Sequence, residues 1–127
     1  NNRGQVVGYS TDFRLDSGTF RPFLWDPDFG LIALGSLGGT DGKALDINDR
    51  GQIVGFSYNA SKPFNELRAF LWDTGKMVDL NGKVAADNNR TLQYADAIND
   101  YGHIVGSMYT LSGKTTIQKS YLLTPNR

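Results

Sequence analysis

Short runs of adjacent apolar residues dominate the hydrophobic pattern of this chain. Val6-Val7 and Ile53-Val54 are apolar pairs, and residues 23–25 and 70–72 both read Phe-Leu-Trp. Neighbouring side chains in a strand point to opposite faces of its sheet, so these runs predict strands that are buried on both faces. No window repeats its apolar residues with the period of an amphipathic helix. The pattern therefore predicts an all-β protein whose sheets are covered on both sides.

Two sequence blocks recur with the same spacing. The first block reads NNRGQVVG at 1–8, NDRGQIVG at 48–55 and NDYGHIVG at 99–106. The second reads RPFLWD at 21–26, RAFLWD at 68–73 and KSYLLT at 119–124. Each block recurs at offsets of 47 and then 51 residues, and periods of this length are typical of solenoids, propellers and arrays. The sequence predicts a single repeat domain over 1–127, with repeats at about 1–47, 48–98 and 99–127.

The second repeat contains four β-type segments. Strands are predicted at 44–47, 52–57, 68–73 and 77–80, where β-branched and aromatic residues lie between turn sequences. The first repeat lacks the first of these strands and the third lacks the last, so units of three, four and three strands are expected. Gly4, Gly51 and Gly102 occupy equivalent turns, and we expect each to adopt a positive φ.

An antiparallel four-stranded unit that is covered on both faces is typical of a propeller blade. The predicted fold is therefore three tandem four-stranded antiparallel units arranged like propeller blades. A β-sandwich and an open β-solenoid are the alternatives. Because a propeller ring normally has four to eight blades, three units cannot close one.

Composition and charge exclude several classes of protein. Thirteen Lys and Arg balance thirteen Asp and Glu, which disfavours a nucleic-acid binder held by phosphate contacts. No apolar run has the length of a membrane-spanning helix. The chain has no cysteine, so a disulfide framework, a thiolate metal site and a cysteine nucleophile are excluded.

The motifs resemble the HAF repeat, a family described as a probable extracellular repeat. Residues 44–55 and 69–72 fit its pattern, as does LGSLGG at 34–39, whereas LNGK at 80–83 and YLL at 121–123 depart from it. The resemblance implies a secreted or cell-surface bacterial β protein of propeller-like form. It supplies no catalytic residue.

Two features could suggest a metal or catalytic site. Residues 46–51 (DINDRG) are rich in oxygen ligands, but Arg50 lies where a calcium loop needs Asp or Asn. We interpret Asn48 and Asp49 as turn formers that bond to nearby backbone. His103 is the single histidine and replaces a repeated glutamine, so we interpret it as an ordinary strand or rim residue. No catalytic, cofactor-binding or metal-binding residue is assigned, and no cofactor is expected.

Acidic pairs and aromatic residues are the other candidates. Glycosidases use two carboxylates, and seven acids lie outside the repeated blocks: Asp12, Asp16, Asp28, Asp41, Glu66, Asp79 and Asp87. Nothing in the sequence marks a catalytic pair among them. Trp25 and Trp72 are interpreted as core between blades rather than as sugar platforms. The segments 11–19, 58–67 and 110–117 differ between repeats and are predicted to be loops, where ligand binding usually lies.

The sequence favours a non-catalytic extracellular repeat module with a structural or ligand-binding role, the ligand being a glycan or a protein. It would form a portion of a larger propeller or assembly. The alternative is a propeller-type glycan hydrolase or lyase. Incomplete sheets at both ends would expose apolar faces near Phe23, Trp25, Tyr121 and Leu123, so we expect self-association or contact with the remainder of a longer chain.

Overall fold

The structure, a computed structural model, describes residues 1–11, 19–60 and 66–126. Its strands are β1 (Val6–Thr11), β2 (Phe20–Asp26), β3 (Gly30–Ala33), β4 (Gly38–Ile47), β5 (Ile53–Asn59), β6 (Leu67–Asp73), β7 (Lys76–Asp79), β8 (Arg90–Ile98), β9 (Ile104–Ser112) and β10 (Thr115–Leu123). A single 3-10 turn at Leu80–Lys83 follows β7. These ranges contain no α-helix, and thus no helix able to cross a membrane. The all-β prediction is confirmed.

The strands form three separate antiparallel sheets. The first sheet has the order β1-β2-β3, the second β4-β5-β6-β7 and the third β8-β9-β10. Every neighbour in a sheet is also the neighbour in sequence, so each sheet is a simple meander. The predicted division into three, four and three strands is confirmed, and none of the sheets closes on itself.

The first strand of the second sheet is longer than predicted. β4 begins at Gly38 rather than near residue 44, and its pairing with β5 shifts register between Gly38 and Gly42 and between Ala44 and Asp46. A Cβ added at Gly39 would lie 2.6 Å from the carbonyl oxygen of Tyr58. Glycine therefore allows β4 to continue along β5 through a segment that looks like a loop in the sequence.

The segment 110–117 is not a loop, which corrects the prediction. Thr110 pairs with Ile117 in the hairpin of β9 and β10, and Gly113 adopts a φ of +63° in its tight turn. The loop was predicted because this segment differs from the other repeats, and it can differ because these strand ends are solvent-exposed and have no apolar face to bury. Of the other two predicted loops, residues 12–18 and 61–65 lie outside the described residues, whereas Tyr58 and Asn59 belong to β5 and Leu67 to β6.

Two apolar clusters join the sheets. The cluster between the first and second sheets contains Leu24, Leu34, Ala44, Ile53 and Phe70. The cluster between the second and third sheets contains Val54, Ala69, Leu80, Leu92, Ala95, Ile98 and Ile104. Adjacent residues Ile53 and Val54 are both fully buried but belong to different clusters. The second sheet is therefore covered on both faces, as the apolar pairs predicted.

The two tryptophans differ in their surroundings. Trp72 packs against the cluster between the first and second sheets, as predicted. Trp25, its equivalent in the first sheet, is 41% exposed. Its assignment to the core between blades was therefore wrong, whereas the expectation that it lies near an exposed end face is confirmed. The reason is positional, because no sheet among the described residues covers that side of the first sheet.

The three repeated turns have the same backbone conformation. Gly4, Gly51 and Gly102 have φ values of +76°, +79° and +84°, which confirms the prediction. In each turn the glycine N–H donates to the carbonyl of the asparagine three residues earlier, for example from Gly51 to Asn48 at 3.1 Å. This left-handed region is costly for residues with a Cβ.

A half-buried tyrosine, Tyr121, connects the strands of the third sheet. The Tyr121 hydroxyl donates to the main-chain oxygen of Tyr94 at 2.6 Å, crossing above Gly106, where a Cβ would lie 2.7 Å from that hydroxyl. Burial, with a smaller contribution from the charge of Asp96, raises the pKa of the Tyr121 phenol far above its ordinary value of 10.0. The neutral phenol is therefore part of the folded state.

Replacing Gly51 by Val should lower the free energy of unfolding by at least about 1 kcal/mol, because a β-branched residue is strained at positive φ. The position is also tight, since a Cβ there would lie 2.6 Å from Nη2 of Arg3. Chemical denaturation measures the change. Gly82→Val is the control, because Gly82 does not have a positive φ and has open space around it. Equal effects at both positions would contradict the turn assignment.

Stability should fall as pH rises above about 10, because the unfolded chain loses the Tyr121 proton more readily than the folded one. A pKa raised in the folded state contributes stability that is complete below the unfolded pKa and is lost above it. Denaturation of the wild type and of Tyr121→Phe across this range measures the effect. Tyr121→Phe should show a smaller loss, whereas Tyr101→Phe, at a 67% exposed position, should behave like the wild type. Identical profiles for Tyr121→Phe and the wild type would contradict the account.

Candidate functional site

Asn48 is buried at the junction of the second and third sheets, with only 3% of its surface exposed. Its Oδ1 accepts from the main-chain N–H groups of Arg50 at 3.1 Å and Gln52 at 3.0 Å. Its Nδ2 donates to Oε1 of Gln52 at 2.8 Å and to the main-chain oxygen of Asn99 at 2.9 Å. Every hydrogen-bonding position of this amide is thus occupied. Asn48 closes its own turn and ties it to the next repeat.

The same arrangement recurs one repeat earlier. Asn1 Oδ1 accepts from the N–H groups of Arg3 and Gln5, and Asn1 Nδ2 donates to Gln5 Oε1 at 2.8 Å and to the Asn48 main-chain oxygen at 3.0 Å. Asn99 repeats the bonds within its own turn. Its Nδ2 instead contacts Nδ1 of His103 at 3.2 Å. We refer to Asn1, Asn48 and Asn99 as the asparagine ladder.

A second row of hydrogen bonds runs beside the ladder. The Asn2 N–H donates to Asp49 Oδ1 at 2.7 Å, and the Asp49 N–H donates to Asp100 Oδ1 at 2.8 Å. Asp46, which lies in β4 two residues before Asn48, accepts from the Ile98 N–H at 2.8 Å. Asn48 therefore bonds to nearby backbone, as the turn interpretation expected. Asp49 differs, since its two oxygens accept from the main chain and the side chain of Asn2 in the preceding repeat. No three Asp, Glu, His or Cys side chains in the described ranges lie close enough together to hold a metal ion.

A Gln–Asp pair attaches each of the first two turns to its own sheet. Gln5 Nε2 donates to Asp26 Oδ2 at 2.8 Å, and Gln52 Nε2 donates to Asp73 Oδ2 at 3.1 Å. The bond from Gln5, followed by one from the Asp28 N–H, lowers the pKa of Asp26. The sequence analysis missed this pair. The sequence does contain a trace of this pair, because the third repeat has neither residue. Histidine replaces the glutamine at 103, and threonine replaces the aspartate at 124.

The outer side of the first sheet is apolar. We define the first end face as Val6, Phe23, Trp25 and Leu31, of which Val6 is 53% and Leu31 67% exposed. Pairing of Val6 with Trp25, and of Trp25 with Leu31, places these three in one row. Their equivalents in the second sheet are Ile53, Phe70, Trp72 and Met77, which all pack in or against the cluster between the first and second sheets.

The outer side of the third sheet is its counterpart. We define the last end face as Val105 and Leu122, which pair with each other and are 45% and 62% exposed. Tyr121 and Leu123, expected near an exposed face, instead pack against the cluster between the second and third sheets. A groove of about 290 Å³ on the last end face is lined by Ala97, Ile98, Asn99, His103, Val105 and Leu122. The single histidine, His103, thus lies in the groove of the last end face.

An aromatic groove lies where the second sheet meets residues from the first and third. It has a volume of about 390 Å³, and its lining comprises Phe20, Asp41, Gly42, Lys43, Phe56, Tyr58, Leu67 and Tyr94. Phe56 and Tyr94 meet edge to face with centroids 5.2 Å apart, and Tyr9 and Phe20 do so at 5.4 Å. The contributing strands belong to all three sheets, so the groove exists only because the sheets are packed together.

Lys43 is the cation of this groove. Its Nζ lies 4.2 Å from the centroid of the Tyr9 ring and 4.5 Å from that of Phe20. Asp41 accepts from the Phe20 N–H at 2.6 Å through Oδ1 and from the Thr40 hydroxyl at 3.1 Å through Oδ2. Among the described residues no carboxylate lies within ion-pair distance of Lys43. Within that part of the chain, cation–π contacts alone hold the ammonium group.

Two of the seven unrepeated acids meet at one arginine. Arg68 contacts Glu66 at 2.7 Å and Asp79 at 3.2 Å beside a polar groove of about 440 Å³. Asp87 instead stabilises the turn before β8, where its Oδ1 accepts from the Asn89 N–H. Asp28 is exposed, and Asp12 and Asp16 lie outside the described residues. Shared charge-assisted bonds to a single guanidinium are typical of a structural ion-pair cluster.

Replacing Asn48 by Ala should lower the free energy of unfolding by about 2 kcal/mol or more, because two main-chain N–H groups and the main-chain oxygen of Asn99 lose their partner. Asn99→Ala is the matched control, since Asn99 makes the same bonds within its turn but none to a further sheet. Thermal and urea unfolding of both variants separates the contribution of the bonds within the turn from that of the bond between sheets. An Asn48→Ala variant no less stable than Asn99→Ala would show that the bond between sheets contributes nothing.

Comparisons with known proteins leave the chain without an assigned family. No family model matches it, and no curated protein and no solved structure is significantly similar to it. The resemblance to the HAF repeat therefore stays a prediction from the motifs at 44–55 and 69–72.

Proposed function

We propose that this protein is a non-catalytic repeat module of propeller-like form, and that it assembles head to tail with a second copy of itself. The observation that carries this proposal is that its two end faces are equivalent to the two halves of the interface that joins its own sheets. Leu24 and Leu71 supply the equivalent leucine to the two internal interfaces, and Leu122 supplies it to the last end face. Trp72 supplies the equivalent tryptophan to an internal interface, and Trp25 supplies it to the first end face.

The ends of the asparagine ladder support the same direction of assembly. In both internal interfaces, the asparagine amide of one repeat donates to the asparagine carbonyl of the next. Asn99 lies beside the last end face and makes no such bond within the described residues. The Asn1 carbonyl accepts from Gly4 and keeps a second lone pair. A head-to-tail contact would place a donor at one end opposite an acceptor at the other.

The propeller-like arrangement is supported by how the sheets pack. β4 contacts β1 and β2 of the preceding sheet, β8 contacts β5 and β6 in the equivalent way, and β4 also contacts β8. First strands that approach each other while their sheets stack face to face occupy the position of inner strands in neighbouring blades. Two copies would supply six sheets, within the usual four to eight, and the contact would then close with two-fold symmetry.

The non-catalytic part of the proposal rests on how the polar residues are used. The repeated Asn, Asp and Gln side chains bond to backbone or to one another at the turns, and Glu66 and Asp79 share Arg68. The rival function, a glycan hydrolase or lyase, requires two carboxylates free to face one cleft. The extracellular or cell-surface location in this proposal rests on the resemblance to the HAF repeat alone.

Light scattering of the purified chain should give a particle of twice the 14.0 kDa chain mass at micromolar concentration. Leu122→Lys and Trp25→Lys each charge one end face, so each variant should be monomeric. In a head-to-tail contact each variant keeps one intact face, and an equimolar mixture should therefore form a one-to-one complex. Ile117→Lys is the control because Ile117 is 42% exposed on the opposite face of β10 from Leu122.

A monomeric wild-type chain with a cooperative melt would contradict the assembly. A dimer disrupted by Leu122→Lys but not by Trp25→Lys would show contact between two last end faces, which is a different assembly. A turnover screen on glycans, with Glu66→Gln and His103→Gln as variants, tests the rival. Turnover that is lost in either variant would contradict the non-catalytic assignment.

A further inference from the structure

We propose that the aromatic groove binds an acidic saccharide, and that Lys43 pairs with a carboxylate of the sugar. This inference goes beyond the structural module proposed above. It rests on the shape of the groove, on its aromatic lining and on Lys43 at its edge, which has no ion pair among the described residues.

The groove has the size and lining of a small-ligand site. Its volume of about 390 Å³ lies in the range typical of ligand pockets, which are mainly aromatic and apolar with a few polar groups. Phe20, Phe56, Tyr58 and Tyr94 are all half-buried. The apolar C–H faces of a pyranose ring can pack on such rings while its hydroxyl groups face outward.

The rings are held in place before any ligand arrives. The edge-to-face contact of Phe56 with Tyr94 connects the second and third sheets, and the contact of Tyr9 with Phe20 lies within the first sheet. Both contacts restrict the side chains. Lys43 lies opposite Phe56 in the pairing of β4 with β5, so the same pair of strands positions the cation and one of the rings. Little side-chain entropy would be lost on binding, which favours affinity.

Lys43 favours an anionic ligand, although the Asp41 carboxylate lies in the same lining. Both oxygens of Asp41 already accept hydrogen bonds from Phe20 and Thr40, whereas Lys43 has only ring faces as partners in the described part of the chain. A carboxylate at the groove would supply the charge-assisted bond that Lys43 lacks. The Tyr58 and Tyr94 hydroxyls donate to no group among the described residues, and they provide bonding groups for sugar hydroxyls. A uronate combines an apolar ring face, hydroxyls and one carboxylate.

Isothermal titration calorimetry with trigalacturonate and with its methyl ester tests the proposal. Wild-type protein should bind the acid, and Lys43→Met, which keeps the apolar stem, should bind it at least about tenfold more weakly, as expected for loss of one charge-assisted bond. Affinity for the methyl ester should be weaker and unchanged by Lys43→Met. Lys119→Met, on the exposed part of β10, should bind like the wild type.

Circular dichroism and melting curves verify that each variant is folded, and Leu122→Lys should retain binding because the last end face lies apart from the groove. Equal affinity of the wild type and Lys43→Met for the acid would overturn the proposal. So would the absence of uronate-bearing sugars among the ligands retained on an array that also carries neutral glycans and peptides.

Discussion

The buried side-chain amide of Asn48 is the interaction on which the arrangement of the sheets depends. An amide that is 3% exposed needs partners for both donors and both acceptor positions, because an unsatisfied buried polar group costs about 1 to 3 kcal/mol. Asn48 finds two partners in its own turn and two through Gln52 and the next repeat. One side chain therefore specifies a left-handed glycine turn, the strands on either side of it and the position of the neighbouring sheet.

That position determines which apolar residues meet. With the turns of successive repeats aligned by the ladder, Ile53 points to the first sheet and Val54 to the third, and both are fully buried. The equivalent positions in the outer sheets have one neighbour each. Val7 packs inward while Val6 is exposed, and Ile104 is buried while Val105 is exposed. Each outer sheet therefore packs against a neighbour on one face only. Its other face, which would form the same interface, is exposed as an end face.

Much of the fold could be predicted from spacing and apolar pairs, because those features are local. The equivalent positive φ values of Gly4, Gly51 and Gly102 followed from their place in a repeated turn. The bond from Asn48 to Asn99 could not be predicted, since identical residues in two repeats do not reveal that one donates to the other. Trp25 was misplaced for a related reason. Its equivalence to Trp72 holds in sequence, but burial depends on whether a neighbouring sheet exists.

The candidate site was the least predictable part. The aromatic groove combines Phe20, Phe56 and Tyr94 from three sheets, and none of these belongs to a motif that the repeats share. Their side chains meet only after the sheets have packed. Glu66 and Asp79 were recognised as unrepeated acids, but their common partner Arg68 was not, because an ion pair across β6 and β7 depends on strand register.

Native-state hydrogen exchange at the Gln52 main-chain N–H tests the central role of Asn48 most directly. This N–H donates to Asn48 Oδ1 and lies outside every strand. If the asparagine ladder holds the sheets together, the Gln52 N–H should exchange only through global unfolding, as slowly as the core amides of β5. Exchange at the rate of a solvent-exposed turn, with β5 still protected, would show that the asparagine turn opens by itself and that the sheets are joined by their apolar clusters alone.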